Sequence, residues 1–148
     1  MDIWNTNKII SRYNQGEITD PEKFGYFLGN LLLVGFITDI IIVRNRADCT
    51  VHSLLTDLIF MALCVTYVYN KSKSKDPSHF IEKYFVLHLP TSVKFYPLFY
   101  TSYYGMRYLL MNYGLSVNAV GFVLLIFYFG GFSLYYRYLG SRIREMIG

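Results

Sequence analysis

Four ionisable residues lie in or near long apolar stretches of the sequence, namely Asp39, Asp57, Lys94 and Arg107. A charged side chain at the centre of a bilayer costs about 2.5–3.5 kcal/mol on insertion scales, unless it is paired or faces water. We interpret these four residues as the lining or the gate of a polar path for ions. The alternatives are structural pairing, for example of Asp57 with Lys94, or a position near lipid headgroups, which suits Asp39 because Arg44 follows within about a turn.

Six cationic residues follow two of the apolar stretches and form a second candidate site. They are Lys71, Lys73, Lys75, Arg137, Arg142 and Arg144. Such cations set the orientation of a membrane protein and attract anionic lipid, by about 1 kcal/mol each near the surface. They also suit a ring that binds phosphates when several copies assemble, because basic side chains with nearby tyrosines can hold a nucleotide or a single-stranded oligonucleotide. Lipid and ligand both remain candidates at this stage.

The sequence lacks the patterns of common catalytic and metal sites. It contains no HExxH motif and no glycine-rich phosphate loop, and its three histidines are scattered at positions 52, 79 and 88. The two cysteines, Cys49 and Cys64, do not have a metal-ligand spacing. We therefore expect no enzyme, no catalytic residue, no metal and no cofactor.

The last apolar stretch is the element around which the rest must be arranged. Residues 115–136 contain no formal charge, and a helix of this length spans about 33 Å, close to the roughly 30 Å core of a bilayer. Tyrosines and an arginine follow, as at the interface of a membrane helix. Across the chain, 53% of residues are hydrophobic and 16% charged, against about 25% charged in soluble domains. The composition indicates a membrane protein.

We predict an all-α fold, an integral membrane four-helix bundle of one domain over residues 1–148. The membrane helices are predicted over about 22–43, 51–69, 84–111 and 115–137, the first embedding its apolar part from Phe24 to Val43. A short amphipathic helix over about 5–15 precedes them, with Gly16 as its end. It lies either on the membrane or against the protein's own helices. For 84–111 we favour a kinked crossing, while Pro90 and Pro97 also permit a broken or re-entrant segment.

The cations indicate the orientation of this bundle. With four crossings, ten of the 14 Lys and Arg residues fall on one side. By the positive-inside rule, both termini and the 70–83 loop are cytoplasmic. We expect a multi-pass protein of the bacterial inner membrane.

The opening WNTNKII…GEITDPEKFGYFLGNLLL resembles small four-helix membrane proteins of bacteria that act in anti-phage defence, in particular the membrane effector of Hailong-type systems. The resemblance carries no site residue over. It implies a homotetrameric, channel-like assembly. It also implies a partner nucleotidyltransferase whose short DNA oligomers hold the effector closed, so that their loss lets it damage the membrane.

These observations lead to one functional hypothesis with two alternatives. The protein is expected to be a homo-oligomeric effector, a tetramer by resemblance, that perturbs the membrane and is gated by an anionic nucleotide or oligonucleotide. The alternatives are a non-channel accessory subunit of a transporter or larger complex, and a holin-like lysis protein.

Overall fold

The chain folds into α-helices throughout the residues that the structure describes. The structure, a computed structural model, describes residues 4–44, 51–72 and 77–146, with side chains except at 34–44, 51–58, 77 and 78. Within these ranges it contains five helices and no strand: α1 (Thr6–Asn14), α2 (Asp20–Arg44), α3 (Val51–Ser72), α4 (Pro77–Asn112) and α5 (Val117–Glu145). The predicted all-α class is confirmed.

Local capping chemistry sets several helix boundaries. Asn5 and Ser116 precede α1 and α5, and each side chain accepts a hydrogen bond from the backbone N–H three residues on, at 3.1 and 3.3 Å. This satisfies a donor that has no partner inside the helix. After α1 and α4 the chain turns at Gly16 (φ 71°) and Gly114 (φ 72°), in the left-handed region that glycine adopts without a steric cost.

α4 is one continuous helix, and it extends beyond both ends of the crossing predicted at 84–111. It runs from Pro77 to Asn112 and includes Pro90 and Pro97 without a break, so the broken and re-entrant alternatives do not describe its backbone. Each proline removes one helical hydrogen bond, but α4 packs against α2 on one side and α5 on the other.

The four long helices pack in the order α2, α4, α5, α3. α2 is parallel to α4, α3 is parallel to α5, and α4 is antiparallel to α5. The direction of α2 relative to α4 follows from the contacts Lys23–Glu82 and Phe27–Phe85. That of α3 relative to α5 follows from Phe60–Phe129 and Lys71–Ser141. That of α4 relative to α5 follows from Phe95–Tyr135 and Phe99–Phe127. The starts of α2 and α4 therefore share one end with the last turns of α3 and α5. We call this the basic end, because it carries Lys23, Lys71, Lys83, Arg137 and Arg144.

Aromatic rings fill the space between α4 and α5. Phe95 lies 4.7 Å from Tyr135 and Phe99 lies 5.0 Å from Phe132, measured between ring centroids. Phe99, Phe132 and Tyr135 are buried. Rings at these separations add to the stability that burial alone provides. The contact between these two helices is a packed core and not a channel.

α5 combines the composition of a membrane helix with an exposed surface. Among the described residues, it is the one helix that meets the length and composition of a membrane crossing, with a mean hydropathy of 1.9 over its most apolar window, of which 17% is buried. Phe122, Ile126 and Leu134 are each more than half exposed. The crossings over 22–43, 51–69 and 84–111 remain predictions.

α1 lies against the protein's own helices, the second of the two placements considered from the sequence. Thr6, Ile9 and Ile10 are buried, and Ile9 is completely inaccessible. The helix packs beside α4. Its apolar side is therefore covered by protein rather than by lipid.

A close contact between α2 and α4 leads to a stability prediction. A β-carbon at Gly29 would lie 2.6 Å from Leu89 Cδ2, and Leu89 is buried. We expect Gly29→Ala to lower the free energy of unfolding in detergent by about 1–3 kcal/mol, the usual cost of overpacking. Gly105→Ala is the matched control, because a β-carbon there meets nothing within 4 Å. It should stabilise α4 by up to about 1 kcal/mol through helix propensity, and a loss of the same size at both glycines would contradict the prediction.

Candidate functional site

We call the six cations of the second candidate site the rim cations. Three of them lie together at the basic end. Lys71, at the end of α3, donates hydrogen bonds from Nζ to Ser141 Oγ (2.9 Å) and to the Arg137 carbonyl oxygen (3.3 Å). Arg137, Ser141 and Arg144 are spaced four and three residues apart, which places them on one face of α5. Arg137 and Arg144 are exposed. We call Lys71, Arg137 and Arg144 the basic cluster.

A glycine on α5 makes this cluster possible. At Gly140 a β-carbon would lie 3.3 Å from Lys71 Cδ and 3.7 Å from Val68 Cα, so the absence of a side chain lets α3 approach closely. Within the described residues, no carboxylate forms an ion pair with Lys71, Arg137 or Arg144. The cluster is therefore a concentration of positive charge that can attract an anion.

The other predicted rim cations do not add to this cluster. Arg142 forms an ion pair with Glu145 at 2.6 Å, donates a hydrogen bond to Asn7 of α1, and lies over the Tyr138 ring at 5.6 Å. Its charge is thus compensated, and it ties α1 to α5. Lys73 and Lys75 lie outside the described residues.

The structure does not unite the residues predicted to line a pore. Lys94 lies at the level of Tyr135 and Tyr138, with which it lines one groove, and its Nζ donates to Thr6 Oγ1 at 3.3 Å. Arg107 is exposed, 13 positions further along α4, which corresponds to about 20 Å. Asp39 and Asp57 are among the residues whose side chains the structure does not describe. The alternative interpretation, a pairing of Asp57 with Lys94, therefore stays a hypothesis.

A buried polar network joins α2, α4 and α5. Asn30 donates from Nδ2 to the carbonyl oxygens of Tyr26 and Phe85, at 2.7 and 2.8 Å. Asn30 Oδ1 lies 2.5 Å from His88 Nδ1 and must accept, so the proton is assigned to Nδ1 of His88. Ser92 of α4 continues the network toward α5.

Ser92 connects the histidine to α5. Its Oγ lies 3.2 Å from His88 Nδ1 and 2.7 Å from the Tyr135 hydroxyl. The His88 ring stacks on Tyr84 with centroids 5.0 Å apart and meets Tyr135 edge-on at 5.9 Å. Asn30, His88 and Ser92 are all buried. A polar network satisfied in this way specifies how three helices fit together.

The sequence alone does not reveal this network, because the three histidines are scattered and Asn30 belongs to no motif. One signal was present, because an asparagine within FLGNLLL and a histidine within VLHLP are polar residues inside apolar stretches. Polar groups in that position usually bond across helices.

A second set of polar contacts fastens α1 to the starts of α2 and α4. Arg12 donates two hydrogen bonds to the Glu22 carboxylate, both at 2.9 Å. The Tyr13 hydroxyl donates to Glu82 at 2.9 Å, and Lys23 Nζ lies 3.0 Å from the same carboxylate oxygen. The Arg12 guanidinium lowers the pKa of Glu22, while burial and the bond to Glu82 raise the pKa of Tyr13.

The lowered pKa of Glu22 predicts that α1 is held less firmly in acid. Because the folded-state pKa lies below the unfolded one, the stabilisation is complete above the ordinary glutamate value of about 4.3 and is lost as pH falls through the folded value. We expect Glu22→Gln to lower the melting temperature at pH 7, and the gap from the unaltered protein to narrow as pH falls below about 4.3. Thermal melts of both proteins in detergent at decreasing pH measure this gap, and a gap that does not narrow below that pH would contradict the assignment. The other carboxylates are the same in both proteins, so their contributions cancel.

The described residues define an all-α protein with a basic cluster at one end and no recognisable catalytic constellation. Within the described part of the chain, no group of three or more His, Cys, Asp or Glu side chains is placed to hold a metal ion. Comparisons with protein-family models, with curated protein sequences and with solved structures find no match. The function must therefore be argued from the site itself.

Proposed function

We propose that this chain is a multi-pass protein of the bacterial inner membrane whose copies assemble, as a tetramer, into a channel-like effector. The observation that carries the proposal is α5, an apolar helix with an exposed surface that ends in the basic cluster. In water such a surface would drive aggregation. In a bilayer it faces lipid, and its cations lie beyond the headgroups.

Several copies are required because the α4–α5 contact of one chain is filled with aromatic rings. An ion path then runs between subunits, as in a symmetric assembly. Arg107 is exposed on α4 and is proposed to face this path. Asp39 and Asp57 are proposed as further path residues. Lys94 lies midway along α4 and is proposed as part of the path or its gate.

The proposed regulator is an anionic nucleotide or short single-stranded DNA bound at the basic cluster. Three cations without carboxylate partners among the described residues support an anionic ligand, and phosphates are the usual partners of such groups. The resemblance to anti-phage effectors supports an oligonucleotide made by a partner nucleotidyltransferase. On this proposal the bound ligand keeps the assembly closed, and its loss permits ion leakage.

Two measurements on the purified protein test the proposal. The mass of the detergent-solubilised particle should equal several copies of the 17.3 kDa chain, and the protein should conduct ions in a planar bilayer, with conduction suppressed by short single-stranded DNA. Arg107→Gln should change the cation-to-anion permeability ratio. A monomer that is inert alone and co-purifies with another membrane protein would support the accessory-subunit alternative. Conduction that ignores every nucleotide would support the holin-like one.

A further inference from the structure

A groove with one cation lies between α1, α4 and α5. Its volume is about 360 Å³, near the lower end of ligand pockets, which span about 300–1,000 Å³. Phe95 and Leu98 of α4 and Leu134 of α5 form its apolar walls, and Lys94 and Thr6 provide polar atoms. The groove is open to the surroundings, since Leu98 and Leu134 are 71% and 67% exposed. It is therefore accessible to a molecule arriving from the side of the protein.

The groove has positive charge without a matching negative group. Lys94 Nζ contacts Thr6 Oγ1 at 3.3 Å, and no carboxylate among the described residues pairs with Lys94. Thr6 is the first residue of α1, so the positive end of that helix dipole also faces the lysine. Two positive features beside apolar walls favour an anion that carries an apolar part.

The order of polar and apolar groups along the groove matches the order within a lipid. α4 runs away from the basic end, so Leu98 lies further from that end than Lys94. α5 runs toward it, so Leu134 also lies further from that end than Tyr138. Tyr138 (48% exposed) lines the groove on the side of the cation, and tyrosines concentrate where lipid headgroups meet water.

We propose that this groove binds one anionic phospholipid, with its phosphate at Lys94 and an acyl chain against Leu98 and Leu134. The inference rests on the membrane location proposed above. It differs from general attraction to a charged surface, because a single lysine and a defined apolar wall select the lipid. The lipid would brace α1 against α4 and α5 at the point where Thr6 meets Lys94.

A tryptophan placed in the groove can report which lipid occupies it. The chain has one tryptophan, so Trp4→Phe combined with Leu98→Trp leaves a single reporter at an exposed position. This variant is reconstituted in phosphatidylcholine vesicles that contain either dibrominated phosphatidylglycerol or dibrominated phosphatidylcholine, both of which quench tryptophan on contact. We expect the anionic lipid to be preferred by about fivefold, the effect of one cation near a membrane surface.

Two further variants locate the preference. Lys94→Met in the reporter background should bring the ratio of the two lipids to about one. Lys8→Met should retain the preference, because it removes a cation from an exposed position of α1 outside the groove. Soluble glycerol phosphate should leave the quenching unchanged.

Each other outcome contradicts a definite part of the inference. Equal quenching by the two lipids, or a preference that survives Lys94→Met, would overturn the lipid site while co-flotation with the vesicles keeps the membrane location intact. Competition by soluble glycerol phosphate would show that the site binds free phosphate and would overturn the lipid assignment. Failure to float with vesicles of either composition would overturn the membrane location, and the lipid site with it.

Discussion

Replacing His88 with alanine is expected to lower the free energy of unfolding in detergent by about 3–5 kcal/mol, the range for removing a large buried ring. The imidazole is packed against Tyr84 and Tyr135 and is buried. Its loss leaves a cavity and removes the donor to Asn30 Oδ1. A buried acceptor left without a partner adds a desolvation cost of about 1–3 kcal/mol, unless water enters the cavity. Denaturant titration followed by circular dichroism measures the change.

The matched control is another histidine of the same helix. His79 lies near the start of α4 and is exposed, so His79→Ala leaves no buried cavity and should lower the free energy of unfolding by much less than His88→Ala. A loss below 1 kcal/mol for His88→Ala, or equal losses at both positions, would show that the network does not hold the helices together. If the network holds the helices together, the double variant His88→Ala with Ser92→Ala should lose less free energy of unfolding than the sum of the two single losses, because the two side chains share one network.

The sequence is sufficient to predict the all-α class and several of the helix boundaries. Asn5 and Gly16 act within a few residues of where they stand, so such caps and turns are visible without knowledge of the fold. Gly25 and Gly29 have the spacing of small residues that permits a close helix contact, and such a contact is found at Gly29. The crossing predicted at 84–111 begins after the start of α4, because residues 77–83 mix Phe80 and Ile81 with polar and charged side chains.

Contacts between distant parts of the chain were not predictable in the same way. Asn30, His88 and Tyr135 come from three helices, and only the packing of those helices brings them together. A periodic pattern shows which side of a helix is apolar, but it does not identify the residue opposite. The same reason applies to Lys94, whose position beside Tyr135 and Tyr138 of α5 depends on how α4 and α5 pack.

Charge compensation separates the rim cations into two groups that look alike in the sequence. Arg142 and Arg144 are two positions apart, yet Arg142 is paired with Glu145 while Arg144 is exposed. Lys71 reaches α5 because Gly140 allows the approach. A count of positive residues therefore overstates the charge that is available to a ligand. The structure instead predicts unequal contributions from neighbouring arginines.

Arg137→Gln and Arg144→Gln are each expected to weaken the binding of a short single-stranded DNA by about tenfold or more. A hydrogen bond to a charged group contributes about 1.5–3 kcal/mol, and 1.4 kcal/mol corresponds to a factor of ten. The double substitution should also lower the steepness of the salt dependence by about 1.4, since each phosphate contact on a single strand contributes roughly 0.7 to the slope. Fluorescence anisotropy of a labelled oligonucleotide, measured with detergent-solubilised protein at several salt concentrations, gives both quantities.

Arg142→Gln is the control that separates binding at the basic cluster from an effect of net charge. It changes the formal charge by the same amount as Arg144→Gln, but its guanidinium is already bound by Glu145 and Asn7. Binding should therefore fall by less than about threefold, because a compensated charge attracts phosphate weakly. If all three substitutions weaken binding equally, the ligand senses only net charge and the basic cluster is not its site. If none of them does, or if the affinity is independent of salt, no anionic ligand is held at this end of the protein.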